Sequence, residues 1–153
     1  MSTPEQKLSE LGIELPTPPT PAAAYVPYVR TGDLLYTAGQ VATEGGSMVA
    51  TGLVGAEVDV ETAQRCARAC AINLIAQIKA AVGDLSNVQR IVKLTVFVAS
   101  TPEFNEQHLV ANGASELLGE VFGDRGKHAR SAVGNSSLPL GTPVEVEAVL
   151  EVS

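Results

Sequence analysis

Residues 144 to 152 constrain the fold more than any other stretch, because their character alternates residue by residue. Val144, Val146, Ala148, Leu150 and Val152 form an unbroken apolar series, and Glu145, Glu147, Val149 and Glu151 form the other. Successive side chains of an extended strand point to opposite faces. The stretch therefore reads as a strand with one face suited to packing under helices and one only half suited to water. Residues 91 to 98 follow the same rule, with Val92, Leu94, Val96 and Val98 facing one way and Ile91, Lys93, Thr95 and Phe97 the other. The helical cover comes from residues 60 to 82, where Ala63, Cys66, Ala67, Cys70, Leu74, Ile78 and Ala81 recur at helical spacing before Gly83. Small side chains on that face permit close approach to a sheet.

The remaining elements follow from turn and cap signals. Two strands, residues 24 to 30 and 34 to 41, flank the turn Thr31-Gly32-Asp33. The Gly-rich turn Glu44-Gly45-Gly46-Ser47 leads to a weak third strand at 48 to 50. Pro102 and Glu103 open a second helix running to Val121, and residues 130 to 136 read as another strand. The order is βββαβαββ, an α+β domain with a mixed sheet and both helices on one side. Ahead of it, residues 3 to 11 predict a short helix capped by Thr3, with Pro4 in its first turn and Gly12 as its stop. The proline-rich run from Leu15 to Pro21 is then an extended arm. Residues 1–22 thus form a helix and arm, and 23–153 a single domain.

Hydrophobic residues make up 45% of the chain and charged residues only 18%. Apolar surface in such excess is often hidden between subunits, so an oligomer is expected. A net charge of −7 repels phosphate backbones and makes nucleic acid a poor partner. The N-terminus lacks the basic start and apolar run of a signal peptide, no stretch is long enough to span a bilayer, and cytoplasm is the expected compartment. Cys66 and Cys70 lie one helical turn apart, a poor disulfide geometry, and read as small buried residues.

No metal site is expected, because His108 and His128 stand twenty residues apart without Cys or carboxylate at ligand spacing. Phosphate loops, dinucleotide fingerprints and a G-x-S-x-G elbow are absent, and Gly39-Gln40 and Gly45-Gly46 read as turn chemistry. Arg130 stands out. A guanidinium inside an apolar strand needs an anionic partner. Two readings stand open: a structural ion pair with an internal carboxylate such as Glu145, or a two-pronged grip on a substrate carboxylate. On the second helix, His108, Asn112 and Ser115 fall together beside the buried stripe of Val110, Ala114, Leu117, Leu118 and Val121. A polar row there reads first as a solvent boundary, and second as a place where His108 could serve a substrate.

Arg130-Ser131-Ala132-Val133, Leu138-Pro139 and Val144-Glu145-Val146-Glu147-Ala148 together resemble the closing signature of the RidA (YjgF) family. Gly32 to Gln40 resembles that family's first hairpin, and Lys93 to Val98 its central strand, so the resemblance spans residues 23 to 152. It implies a chorismate-mutase-like fold, a homotrimer with clefts between subunits, and cofactor-free hydrolysis of reactive 2-imino and enamine acids. By the same resemblance, Arg130 binds the substrate carboxylate, Glu145 positions water, and Tyr25 lines the cleft unless it simply packs on the sheet. The chain departs from the deaminase pattern at Ala38, where the family carries serine, at His108, where it carries asparagine, and at Ala132, where cysteine is frequent. Those departures favour a side branch, and leave a small-carboxylate binding module without turnover as the alternative. Ribonuclease activity, a label attached to some relatives, fits poorly with the acidic charge and the lack of a basic groove.

Overall fold

A computed structural model describes residues 2–153. The main sheet has the order β1-β2-β8-β6-β7, with β1 at Tyr28–Thr31, β2 at Leu34–Thr37, β6 at Val88–Ala99, β7 at Ala129–Asn135 and β8 at Val144–Val152. The short β3 (Gln40–Val41) also pairs with β8. Only β6 and β7 run parallel within this mixed sheet. Helices α2 (Val60–Val82) and α3 (Gln107–Phe122) pack on each other and on the same face. That face carries the whole apolar series of β8, all of it buried. The α+β class, the mixed sheet and the one-sided helices therefore stand as expected.

The helix α1 (Pro4–Glu10) is closed by a capping box in which Thr3 and Gln6 bond reciprocally. It sits on the domain: Leu8 enters the core, and Glu5 accepts from the Leu85 backbone N–H at 2.7 Å and from Lys79 at 3.2 Å. The arm is tied down by Gln77, itself buried, which donates to the Pro19 carbonyl at 2.7 Å. Cys66 and Cys70 are free and buried, and burial pushes both thiols up.

Five details correct the expected pattern. The first hairpin starts at Tyr28, not residue 24, because pairing begins where the Ala38 N–H meets the Pro27 carbonyl. Its second strand does not run unbroken to 41: Tyr36 faces Val149 but Gln40 faces Val146, so one extra residue bulges out between them. The weak third strand pairs outside the main sheet, as β5 (Ser47–Met48) against β4 (Thr43–Glu44). In β6 a register shift between Ile91 and Lys93 buries Ile91 and leaves Val92 exposed, the reverse of strict alternation. The second helix also starts later than Pro102. Thr101 to Phe104 form a turn, held by the Thr101 N–H on the Val54 carbonyl, so regular helix begins only at Gln107.

Candidate functional site

Arg130 lies in the edge strand β7, in register with Leu94 of β6, and Leu94 faces Ala148 of β8. All three therefore point towards the helices. At the edge this aims the guanidinium at α3, where the polar row waits. Nη1 donates to Asn112 Oδ1 at 2.9 Å and to Ser115 Oγ at 3.1 Å, and Nη2 donates to the His108 carbonyl at 3.1 Å. Residues at these spacings share one side of a helix, so a single face cradles the whole group. The reading of that row as a mere solvent boundary is corrected. What reaches Arg130 from His108 is its backbone oxygen, while its side chain makes no hydrogen bond to the described residues.

No carboxylate among the described residues bonds to Arg130 in this cradle. Ion pairs among the described residues join Lys7 to Glu10, Lys79 to Glu5 and Lys127 to Asp124, and none involves Arg130. Within one chain, therefore, Arg130 forms no structural pair with Glu145. Two strand spacings and three residues along the strand separate the two positions, roughly 14 Å between Cα atoms. Glu145 also points to the face without helices. A half-buried guanidinium held only by neutral acceptors keeps its full charge available.

Sequence reasoning missed His128. Its Nδ1 lies 2.6 Å from the Gly126 carbonyl and its Nε2 lies 2.9 Å from Ser115 Oγ. The ring reaches α3 because the turn Gly123–Gly126 presses on it: a Cβ on Gly126 would collide with the Leu118 carbonyl. Only three-dimensional proximity links His128 to Ser115, so no spacing in the chain announces it.

Glu145 occupies a second place, across β8 from Phe97 and Val41. With Pro21, Tyr25, Gly39, Gln40 and Leu140 it lines a hollow of about 290 Å³. Gly39 belongs to the bulge rather than to a turn. A Cβ there would collide with the Glu145 carboxylate, so the missing side chain is what admits it. Desolvation, reinforced by the charge of Glu147, pushes the Glu145 carboxyl up, and it accepts no hydrogen bond from the described residues. Leu140 is left-handed (φ 62°) and largely exposed, a strained apolar side chain at this hollow. Tyr25 is half exposed in the arm, ahead of the hairpin.

The structure thus brings Glu145 and Tyr25 together, and His108 to Arg130 by its backbone, but leaves the two groups apart within one chain. Among the described residues no cluster of three His, Cys, Asp or Glu side chains could hold a metal, and no helix is long and apolar enough to cross a membrane.

The chain is 50% identical over 149 residues to Protein TCP17 of Trypanosoma cruzi, covering 95% of this chain and 92% of that one. It superposes on Atu1372 of Agrobacterium tumefaciens, a protein of unknown function, with a TM-score of 0.92 and 52% identity, covering 99% and 94% of the two chains. Escherichia coli TdcF, solved with bound serine, superposes with a TM-score of 0.66 at 26% identity, covering 90% and 94%. Residues 5–151 match the family described as "YjgF/chorismate_mutase-like, putative endoribonuclease". With the fold, the closing signature and this match in agreement, the chain belongs to the RidA (YjgF) family.

Proposed function

We propose that the protein hydrolyses small 2-imino and enamine acids to 2-oxo acids and ammonia, in clefts between the subunits of a homotrimer. One observation carries the reading: Arg130 is half-buried, fixed by three hydrogen bonds and without an anionic partner among the described residues. A group so held suits a carboxylate that comes and goes. TdcF, a relative, has been solved with serine bound, and serine carries such a carboxylate.

Glu145 supplies the second requirement. Its raised pKa suits a group that takes a proton from water and returns it. The water oxygen bonds to the imine carbon, the carbon–nitrogen bond breaks, and nitrogen leaves as ammonia with the transferred protons. The imine is already electrophilic, so positioning supplies most of the acceleration. Because one chain keeps Arg130 and Glu145 apart, a complete site takes Arg130 from one copy and Glu145 with Tyr25 from the next. Exposed Val29, Tyr36, Val92 and Val133 give that neighbour an apolar surface to cover.

The exposed His108 side chain, where deaminases of the family carry asparagine, favours a second reading: a binding module that holds the acid without turnover. The net charge of −7 weighs against a phosphate backbone as substrate. Arg130→Ala decides the carboxylate reading. It is expected to abolish 2-oxobutanoate binding in calorimetry with a small change in melting temperature, and normal binding would overturn the assignment. Ammonia release from freshly generated 2-iminobutanoate then separates enzyme from binding module.

A further inference from the structure

We infer that His128 and Ser115 are positioning residues, which lock Arg130 with two N–H donors turned out for a single carboxylate. The inference rests on the carboxylate-gripping role of Arg130 proposed above.

The polarity of the chain follows from what each atom can do. A carbonyl only accepts, so the short contact to the Gly126 oxygen places the proton on His128 Nδ1. Nε2 of the neutral ring is then an acceptor. The Ser115 hydroxyl must donate to it across 2.9 Å, which leaves the lone pairs of Oγ for Arg130 Nη1 at 3.1 Å. Without the histidine, the hydroxyl rotates freely and can present its hydrogen to the guanidinium. Fixed by it, Ser115 is an acceptor only in the direction that matters.

Counting donors shows what the lock is for. A guanidinium carries five N–H donors. Nη1 spends both of its hydrogens on Asn112 and Ser115, and Nη2 spends one on the His108 carbonyl. Nε–H and one Nη2–H remain, enough for one two-point carboxylate contact and no more. Arginine's long stem normally loses much rotamer entropy on binding. Here α3 has already removed that freedom, so the grip is formed before the ligand arrives.

The test titrates 2-oxobutanoate into the full-length oligomer. Ser115→Ala and His128→Leu are each expected to weaken binding about tenfold, the scale of one charge-assisted hydrogen bond. Ser115→Thr keeps the hydroxyl and His128→Gln keeps an acceptor near Nε2, so both are expected to bind within about threefold of the parent. Parent-like affinity in both Ser115→Ala and His128→Leu, while Arg130→Ala still abolishes binding, overturns the inference and leaves the role of Arg130 intact. Parent-like affinity in Arg130→Ala overturns both. Nitrogen NMR of the parent protein with labelled histidine provides a reading free of folding effects. At alkaline pH the His128 ring is expected to carry its proton on Nδ1, and a proton on Nε2 overturns the relay whatever the variants do.

Discussion

The Arg130 cradle and the Glu145 hollow lie on opposite faces of one sheet, and they differ in how finished they are. Arg130 is saturated on one side: α3 supplies three acceptors, and His128 orients one of them. Glu145 has room but no hydrogen-bond partner among the described residues, in a hollow walled by Tyr25, Leu140 and prolines of the arm. A half-buried carboxylate without donors is costly, whereas a cation among neutral acceptors is settled but not neutralised. Each half lacks what the other carries. The proposed site, completed by another copy rather than by a rearrangement within the chain, would account for that difference.

The sharpest way to break that comparison is to remove one charge from each half. Glu145→Gln keeps the shape of the side chain but cannot accept a proton from water. It is expected to lower ammonia release by about 10²- to 10⁴-fold, the usual range for a lost acid–base group. Calorimetry is expected to show 2-oxobutanoate still binding, because the grip belongs to the other face. Parent-like turnover would remove Glu145 from the reaction. Mixing the two defects tests whether the halves come from different copies. Arg130→Ala and Glu145→Gln chains, inactive alone, are expected to regain about one quarter of parent activity when co-assembled at random in a trimer. No recovery in verified mixed assemblies would mean that each site is built by one chain.

A smaller change reaches the hollow alone. Gly39 has an ordinary φ, so alanine costs the backbone little there, yet its Cβ would displace the Glu145 carboxylate. The carboxylate is the free end of a flexible side chain and can swing away while the strands stay in place. Gly39→Ala is expected to lower ammonia release by about 10- to 100-fold through misplacement alone. Melting temperature and 2-oxobutanoate affinity are expected to stay near the parent values. A large fall in stability would show that the bulge, rather than the carboxylate, needed the glycine.

The two halves also differed in how legible they were. Strand β8 could be read because its period is strict and one face is fully buried, and α2 because twenty-three residues repeat one pattern. Where a single residue breaks the period, as between Tyr36 and Gln40 or near Val92, alternation assigns the wrong face. The bulge at Gly39 therefore stayed hidden, although it shapes the hollow. At Pro102, helix-start chemistry was present but the Thr101–Phe104 turn packs on the Val54 loop instead. The row of His108, Asn112 and Ser115 was visible by helical spacing, but its purpose was not. Only the parallel pairing of β7 with β6 brings Arg130 and His128 to it.

The smallest expected effect concerns stability, and it again separates the two halves. Desolvation and the charge of Glu147 raise the folded-state pKa of Glu145 above its unfolded value. In the window between those two values, the folded state holds more of this proton than the unfolded state, so unfolding free energy falls as pH rises through it. Above the folded pKa the charged carboxylate is a standing destabilisation, and below the unfolded pKa the penalty is gone. Glu145→Gln removes the titration. It is therefore expected to raise stability at neutral pH, by less than about 1 kcal/mol after allowing for solvent screening at a half-exposed group. The gain is expected to fade in acid, as the parent glutamate takes up its proton. Ser115→Ala, in the other half, removes an acceptor from a charged group and is expected to lower stability at neutral pH. Paired denaturant titrations at neutral and acid pH check both signs. If Glu145→Gln is less stable than the parent at neutral pH, the carboxylate has a favourable partner in the assembled protein. That result would make the hollow a structural ion-pair site rather than a place held open for water and substrate.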